Sequence, residues 1–198
     1  MQKYLKLSDE LLLAKGGERF CFIHPEDNTK IIKVLNPSLN KHNQQNLLEY
    51  KYYSFLYSHF KSKELTCISR FDGLTNTNYG EGLIFERIVD YDGKDSKHLR
   101  HYLRNNLLSQ LEEKYLLNEL KLFLEKYNIL FIDVSTVNLF CKRIGKDRYK
   151  LIIFDGLGAR RIGFKFNLYL KSKIFTKYKI KKQWKKFYAN YLRDKELS

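Results

Sequence analysis

With 198 residues, 43% of them hydrophobic, the chain has apolar material for one substantial core or two small lobes, and its composition excludes a disordered tail. Its 37 Lys and Arg against 22 Asp and Glu leave a net charge of +15, which predicts an anionic partner: nucleotide, nucleic acid, anionic lipid or phosphorylated glycan. No apolar run is of membrane-spanning length and residues 1–10 lack a signal-peptide core, so the expected location is cytoplasmic, free or peripheral on the inner membrane.

The first elements read as a meander. Leu11–Ala14, a turn at Gly16-Gly17, Phe20–His24, a turn at Asp27-Asn28 and Lys30–Leu35 give three strands. Adjacent glycines let backbone N–H groups approach phosphate oxygens closely, although Gly-Gly is also an ordinary hairpin turn. In the third strand Ile32 and Val34 alternate with Ile31, Lys33 and Leu35, which places Lys33 among apolar residues on its own face. A lysine there needs a partner. A helix is expected from about Asn40 to Phe60, with Leu47, Leu48, Tyr52, Phe55 and Leu56 as its apolar stripe; Glu49, beside that stripe, is the only acid between Lys33 and Glu64.

Two further strands, Cys67–Gly73 and Gly82–Ile88, complete five. The turn-rich Val89-Asp90-Tyr91-Asp92-Gly93 then crosses to a helical half, and an extended hinge near Glu86 to Asp90 offers main-chain groups to an adenine edge. A short helix at 97–103 and a longer one at 107–127 follow, the second with Leu108, Leu111, Tyr115, Leu120, Phe123 and Leu124 as its stripe. His98 and His101 lack a third ligand nearby and read as a solvated helix face. Cys21, Cys67 and Cys141, odd in number and set in apolar runs, read as buried reduced thiols.

The loop after the long helix carries the chemistry. Asp133 precedes Asn138 by five positions, and Asp155-Gly156 ends a hydrophobic strand seventeen positions further on, with Val137–Cys141 and Tyr149–Phe154 pairing as the hairpin between. One carboxylate suits the proton of an attacking hydroxyl, while an amide oxygen and a second carboxylate are hard ligands for Mg²⁺. The bland alternative is chance spacing plus a hairpin turn. From Arg160 to Ser198, thirteen Lys or Arg meet only Asp194 and Glu196, interleaved with aromatics. One or two helices there would dock an aromatic face and leave a basic one, which also suits an anionic membrane surface or nucleic-acid phosphates.

Gly16/Gly17, Lys33, Glu49, Asp133, Asn138 and Asp155 stand in kinase order. With Phe22–Asp27, Lys33-Val34, Glu49-Tyr50-Lys51-Tyr52-Tyr53, Asp90-Tyr91-Asp92-Gly93-Lys94, Asn138-Leu139 and Asp155-Gly156-Leu157-Gly158, the chain resembles the YrbL family of small bacterial kinase-like proteins up to about residue 160. The resemblance implies an α+β class and a truncated two-lobed protein-kinase-like fold with a small antiparallel sheet and a helical second lobe. It also implies a link, through the family's name, to a network under a two-component system. The expected organisation is one kinase-like domain, its lobes at about 1–88 and 89–159, with a basic helical tail at about 160–198.

The roles expected are these: Lys33, held by Glu49, orients ATP phosphates, Gly16 and Gly17 cover them, Glu86 and Ile88 meet the base, Asn138 and Asp155 hold Mg²⁺, and Asp133 orients the nucleophile. Phe131-Ile132 stand where kinases carry His-Arg and Gly156-Leu157 where they carry Phe-Gly. No activation segment is recognisable, and only about forty residues follow Asp155. A sugar or lipopolysaccharide-linked glycan hydroxyl is therefore expected as acceptor rather than a protein. The rival readings are a nucleotide-binding pseudokinase with a regulatory role and, from charge alone, a basic nucleic-acid-binding protein.

Overall fold

The computed structural model describes residues 4–38 and 44–197. His42 and the expected start of the first helix at about Asn40 lie outside the described residues. The chain is of mixed α+β class and divides into two compact units, one of residues 1–60 and 69–87, the other of residues 61–68 and 88–198.

The first unit is a six-stranded sheet with one long helix. Strands β1 (Tyr4–Leu5), β2 (Leu12–Lys15), β3 (Arg19–His24), β4 (Asp27–Leu35), β5 (Phe71–Thr77) and β6 (Gly80–Glu86) are ordered β1-β5-β6-β4-β3-β2, antiparallel except for β1 beside β5. The reading of five strands missed β1, which at two residues is too short to show alternation. The turn expected at Asp27-Asn28 falls instead at Pro25-Glu26, with Asp27 and Asn28 already in β4, because proline takes the turn and cannot donate in a ladder.

The central strand β4 is covered on both faces. Ile32 and Val34 pack with Leu5, Leu7 and Phe22. Each such side chain removed fully from water contributes about 1.5–3 kcal/mol. On the other face lies α1 (Gln45–His59), which buries Leu48, Glu49, Tyr52, Tyr53 and Leu56. Leu47, expected in that stripe, is 44% exposed, and Tyr53 takes its place. The Tyr53 ring meets Phe85 edge-on at 5.2 Å while its hydroxyl donates to the Ser69 carbonyl at 2.8 Å, so one aromatic satisfies both packing and a buried acceptor.

The second unit contains α2 (Leu99–Arg104), α3 (Gln110–Tyr127), the hairpin β7 (Leu139–Gly145) and β8 (Arg148–Ile153), α4 (Phe164–Lys171) and α5 (Lys173–Glu196). Helix α3 begins with a reciprocal cap, Ser109 accepting from Glu112 N–H and Glu112 from Ser109 N–H, and ends at Asn128 in the left-handed region. It buries Glu113, Leu116, Leu117, Leu120, Phe123 and Leu124, whereas Leu111 and Tyr115, expected in the stripe, are 78% and 60% exposed on another side of the helix. Glu113 is buried because it anchors α5: it accepts from the Tyr191 hydroxyl and, at 2.6 Å, from Lys195 Nζ. Burial first, and then that bond to a carboxylate, push the Tyr191 hydroxyl pKa well above its usual range. Thus the segment beyond residue 160 forms two helices, with Thr176, Ile180, Gln183, Phe187, Tyr191 and Asp194 on the buried side of α5.

The three cysteines are free and buried, as expected. His98 caps α2, its Nδ1 accepting from His101 N–H at 3.1 Å. No helix among the described residues is long and apolar enough to cross a membrane.

Candidate functional site

In the first unit the strand lysine has its partner. Lys33 is 2% exposed; its Nζ lies 3.1 Å from Glu49 Oε1 and 4.3 Å from the centroid of Phe85. The other Glu49 oxygen accepts from the Arg19 guanidinium. Two cations therefore converge on one buried carboxylate. Arg19 escaped the sequence reading, although its place two residues after Gly17, on the strand paired with β4, was the available signal. Gly16 closes the β2–β3 hairpin by donating to the Arg19 carbonyl at 2.8 Å, and a Cβ on it would stand 3.0 Å from that oxygen. A Cβ on Gly17 would meet nothing within 4 Å, so the local packing does not require glycine there.

Glu86 ends β6, and its main chain is committed within the unit: its N–H donates to the Arg70 carbonyl at 2.9 Å and its carbonyl accepts from Ser69 Oγ at 3.4 Å. Ile88, in the second unit, is buried, and its carbonyl accepts from Ser96 N–H at 3.1 Å.

The second unit draws Asp133, Asn138 and Asp155-Gly156 together. Residues 130–133 run beside 156–158, with Ile132 and Asp133 N–H both donating to the Gly156 carbonyl, at 2.7 and 3.0 Å. Asn138 Nδ2 donates to the Asp133 carbonyl and to its Oδ2, each at 2.9 Å. The Asn138 carbonyl in turn accepts from Phe154 N–H at 2.9 Å, which fixes Asn138 beside the residue preceding Asp155. Asp155 Oδ1 accepts from Gly156 N–H at 2.7 Å. Gly156 has φ +85°, and a Cβ on it would stand 2.8 Å from Asp133 Cβ, 2.9 Å from the Asp133 carbonyl oxygen and 3.3 Å from Asn138 Nδ2. Only glycine meets both demands.

Asp133 is exposed between buried Ile132 and Val134, and α5 grips the main chain on both sides of it. Gln183 Nε2 donates to the Ile132 carbonyl at 2.5 Å, and Asn190 Nδ2 to the Val134 carbonyl at 2.9 Å. Asp194, on the same side of the helix, accepts from the buried Thr136 hydroxyl and pairs with Arg100 Nε at 3.1 Å. Burial alone would raise the Asp194 carboxyl, but the Thr136 hydroxyl and the Arg100 and Arg104 guanidinium groups outweigh it and hold the pKa below the usual carboxylate range. None of these α5 side chains stood out in the sequence, where they lie in a lysine-rich run.

The Asp90-x-Asp92-Gly-Lys motif proves to be a clamp on β7. Asp90 accepts from the Ser96 hydroxyl, from Arg143 N–H at 2.9 Å and from Arg143 Nε at 2.8 Å, and Asp92 accepts from the other arm of the same guanidinium.

Among the described residues no three His, Cys, Asp or Glu side chains gather as a metal site. Asn138 and Asp155 offer an amide oxygen and a carboxylate, the donor types that a hard cation takes. With Nδ2 turned to Asp133, the Asn138 amide leaves its oxygen for a hard cation, and one amide with one carboxylate suits Mg²⁺ that keeps phosphate and water as its remaining ligands.

The α+β class and this loop narrow the comparison. The sequence profile described as PhoP regulatory network protein YrbL matches residues 5–192, and the chain belongs to that family. It is similar to the YrbL proteins of Escherichia coli K12 and Shigella flexneri, each 28% identical over 189 residues covering 93% of this chain and 87% of the relative.

Proposed function

We propose that the protein is a MgATP-dependent phosphotransferase acting on a hydroxyl, one kinase-like domain with a two-lobed protein-kinase-like fold, working in the cytoplasm. The observation that carries this reading is the double hydrogen bond from Asn138 to Asp133 beside Asp155-Gly156. An unpaired loop acid and a strand-end acid would be unremarkable separately. Here the Asn138 amide holds Asp133 while its carbonyl is held by Phe154 N–H next to Asp155, which keeps a proton acceptor and two cation-ligand types on one frame, as an in-line transfer needs. The buried Lys33–Glu49 pair adds to it, since the burial of a lysine against a carboxylate fixes where the ammonium points.

A bound magnesium nucleotide supplies the transferable phosphoryl group and the charge neutralisation. Asn138 and Asp155 would hold the cation and Lys33 the phosphates, while Asp133 would orient the acceptor hydroxyl and take its proton. The family description ties the relatives to a PhoP regulatory network, so a regulated, conditionally used enzyme is the role proposed here.

The test is a thermal shift with MgATP on wild type and Lys33→Met, followed by ATP consumption over a panel of sugar and glycolipid acceptors. A wild-type shift lost in Lys33→Met, and turnover lost in Asp155→Asn, are the expected results. Stabilisation by nucleotide with no ATP consumed would assign a nucleotide-binding regulator instead. Absence of both would reject the reading.

A further inference from the structure

Beside Asp133 the second unit opens into a pocket of about 860 Å³, walled by residues 132–134, by the segment 159–166 and by one side of α5. That volume is in the range of small-molecule sites. Its walls carry Arg160, Arg161, Lys165, Lys179 and Lys186, against Asp133 as the one acid. Among the described residues none of these five cations has a carboxylate partner, although Arg19, Arg100, Arg143 and Lys195 elsewhere all do.

The fold holds the cations together against their mutual repulsion. Lys179, Gln183, Lys186 and Asn190 recur at four, three and four residues, so they share one side of α5. Gln183 and Asn190 fasten that side to the carbonyls flanking Asp133, which sets Lys179 and Lys186 beside the loop. Burial and then the charges of Lys186, Lys182, Arg160 and Lys165 depress the Lys179 ammonium, the signature of like charges held close without a counter-ion. The N-terminal residues of α4, with Gly163 as its cap, lie on the same wall and add the positive end of a helix dipole. Gln183, which lines this pocket, has its Oε1 buried with no donor.

We infer that this pocket is the acceptor subsite, built for a small hydroxyl-bearing molecule that carries two or more phosphate groups, such as a sugar bisphosphate, free or at the head of a lipid. The inference rests on the phosphotransferase reading for the word acceptor; the anion site itself rests on the pocket alone. Polyanionic ligands match five uncompensated cations, and their hydroxyls supply what Asp133 would deprotonate. In the transfer, the acceptor oxygen bonds to the γ-phosphorus of the nucleotide as the bond from that phosphorus to the β–γ bridging oxygen breaks. The hydroxyl proton passes to Asp133 and on to water, and the nucleoside diphosphate leaves. Five cations around one recess beside an acid suit a compact phosphorylated molecule, whereas a duplex would draw on an extended basic track.

The test is titration calorimetry without nucleotide, with glucose 1,6-bisphosphate as the free source and diphosphorylated lipid A in detergent micelles as the lipid-linked one. Glucose and a 20-nucleotide single-stranded RNA serve as controls. Lys179→Glu with Lys186→Glu is compared with Lys177→Glu plus Lys181→Glu, which make the same charge change at exposed positions outside the pocket on the same helix. Expected is bisphosphate binding weakened about tenfold or more in the first double variant and little changed in the second. Preference for glucose 1,6-bisphosphate identifies a free acceptor, and preference for lipid A a lipid-linked one. Equal weakening in both variants, or RNA binding that the bisphosphate does not displace, overturns the assignment. A wild type that binds bisphosphate but never responds to MgATP overturns the phosphotransferase reading and leaves the anion site standing. A wild type that responds to MgATP and binds neither phosphorylated probe overturns the pocket assignment alone.

Discussion

The side-chain amide of Gln183 donates to the carbonyl of Ile132 at 2.5 Å, a bond between residues 51 positions apart that ties the long C-terminal helix to the loop bearing Asp133. With Asn190 on the Val134 carbonyl and Asp194 on Thr136, the basic tail is a splint for the loop rather than an appendage. A loop of alternating buried and exposed residues has few contacts of its own, so its acid is placed by what grips the neighbouring main chain.

Gln183→Met keeps the shape and removes the donor. The stranded Ile132 carbonyl costs about 1–3 kcal/mol, offset in part because the unpaired Oε1 goes too. Turnover should fall about tenfold or more, further than the stability change explains, since a misplaced proton acceptor acts on the transition state. Urea unfolding alongside ATP consumption separates the two effects; turnover that stays at the wild-type level would remove the positioning role.

Glu49→Ala should be the most damaging change in the first unit. It takes the Glu49 carboxylate away from the Lys33 ammonium, 2% exposed, and from Arg19, and breaking a buried pair from one side costs about 3–5 kcal/mol. Lys33→Met removes the charge and keeps the volume, so its cost should be under about 2 kcal/mol while nucleotide-induced stabilisation disappears. Denaturant midpoints of the two variants decide this, and equal losses would show that the pair is not electrostatically buried.

Gly156→Ala combines two penalties. The backbone sits at φ +85°, worth about 1–2 kcal/mol against a non-glycine residue, and the new methyl would press on Asp133 Cβ and its carbonyl oxygen. Melting should drop by several degrees and turnover should be lost with it. By contrast Gly17→Ala places its methyl in open space, so the fold should be unaffected and only nucleotide affinity should change. A drop in thermal stability for Gly17→Ala comparable to that of Gly156→Ala would contradict this account.

How much of this was legible beforehand depended on the range of the contact. The meander of β2, β3 and β4, the helix bearing Glu49 and the β7–β8 hairpin follow from alternation, turn residues and helical spacing, which are local. The spacing marked Asp133 and Asn138 because both lie on one short loop, but the bond between them was not read from it, since spacing does not say which way an amide turns. The α3 stripe was misplaced because Leu111 and Tyr115 are apolar yet exposed, while Glu113 is charged yet buried, and hydropathy ranks them the wrong way round. Gln183, Asn190 and Asp194 were invisible for a related reason: their partners are main-chain carbonyls and a threonine more than fifty positions away, and no periodicity encodes that.

Asp194 gives the splint a pH signature. Its folded-state carboxyl lies below the ordinary value of 3.8, so its contribution to stability is fully present above that value and is lost as pH falls through the lower folded one. Asp27, Asp92 and Glu112 are depressed as well, and they titrate alike in any variant that leaves them intact. Asp194→Asn should therefore be less stable than wild type at neutral pH by about 1–3 kcal/mol, through loss of charged hydrogen bonds to half-exposed guanidinium groups. The gap between the two proteins should begin to narrow below about pH 4, where the unfolded-state carboxyl takes up its proton, and close as pH falls through the lower folded-state value. Thermal melts from pH 7 down to pH 2.5 measure that gap directly, and a difference that stays constant across the range would mean that Asp194 holds Thr136 by shape and hydrogen bonding alone.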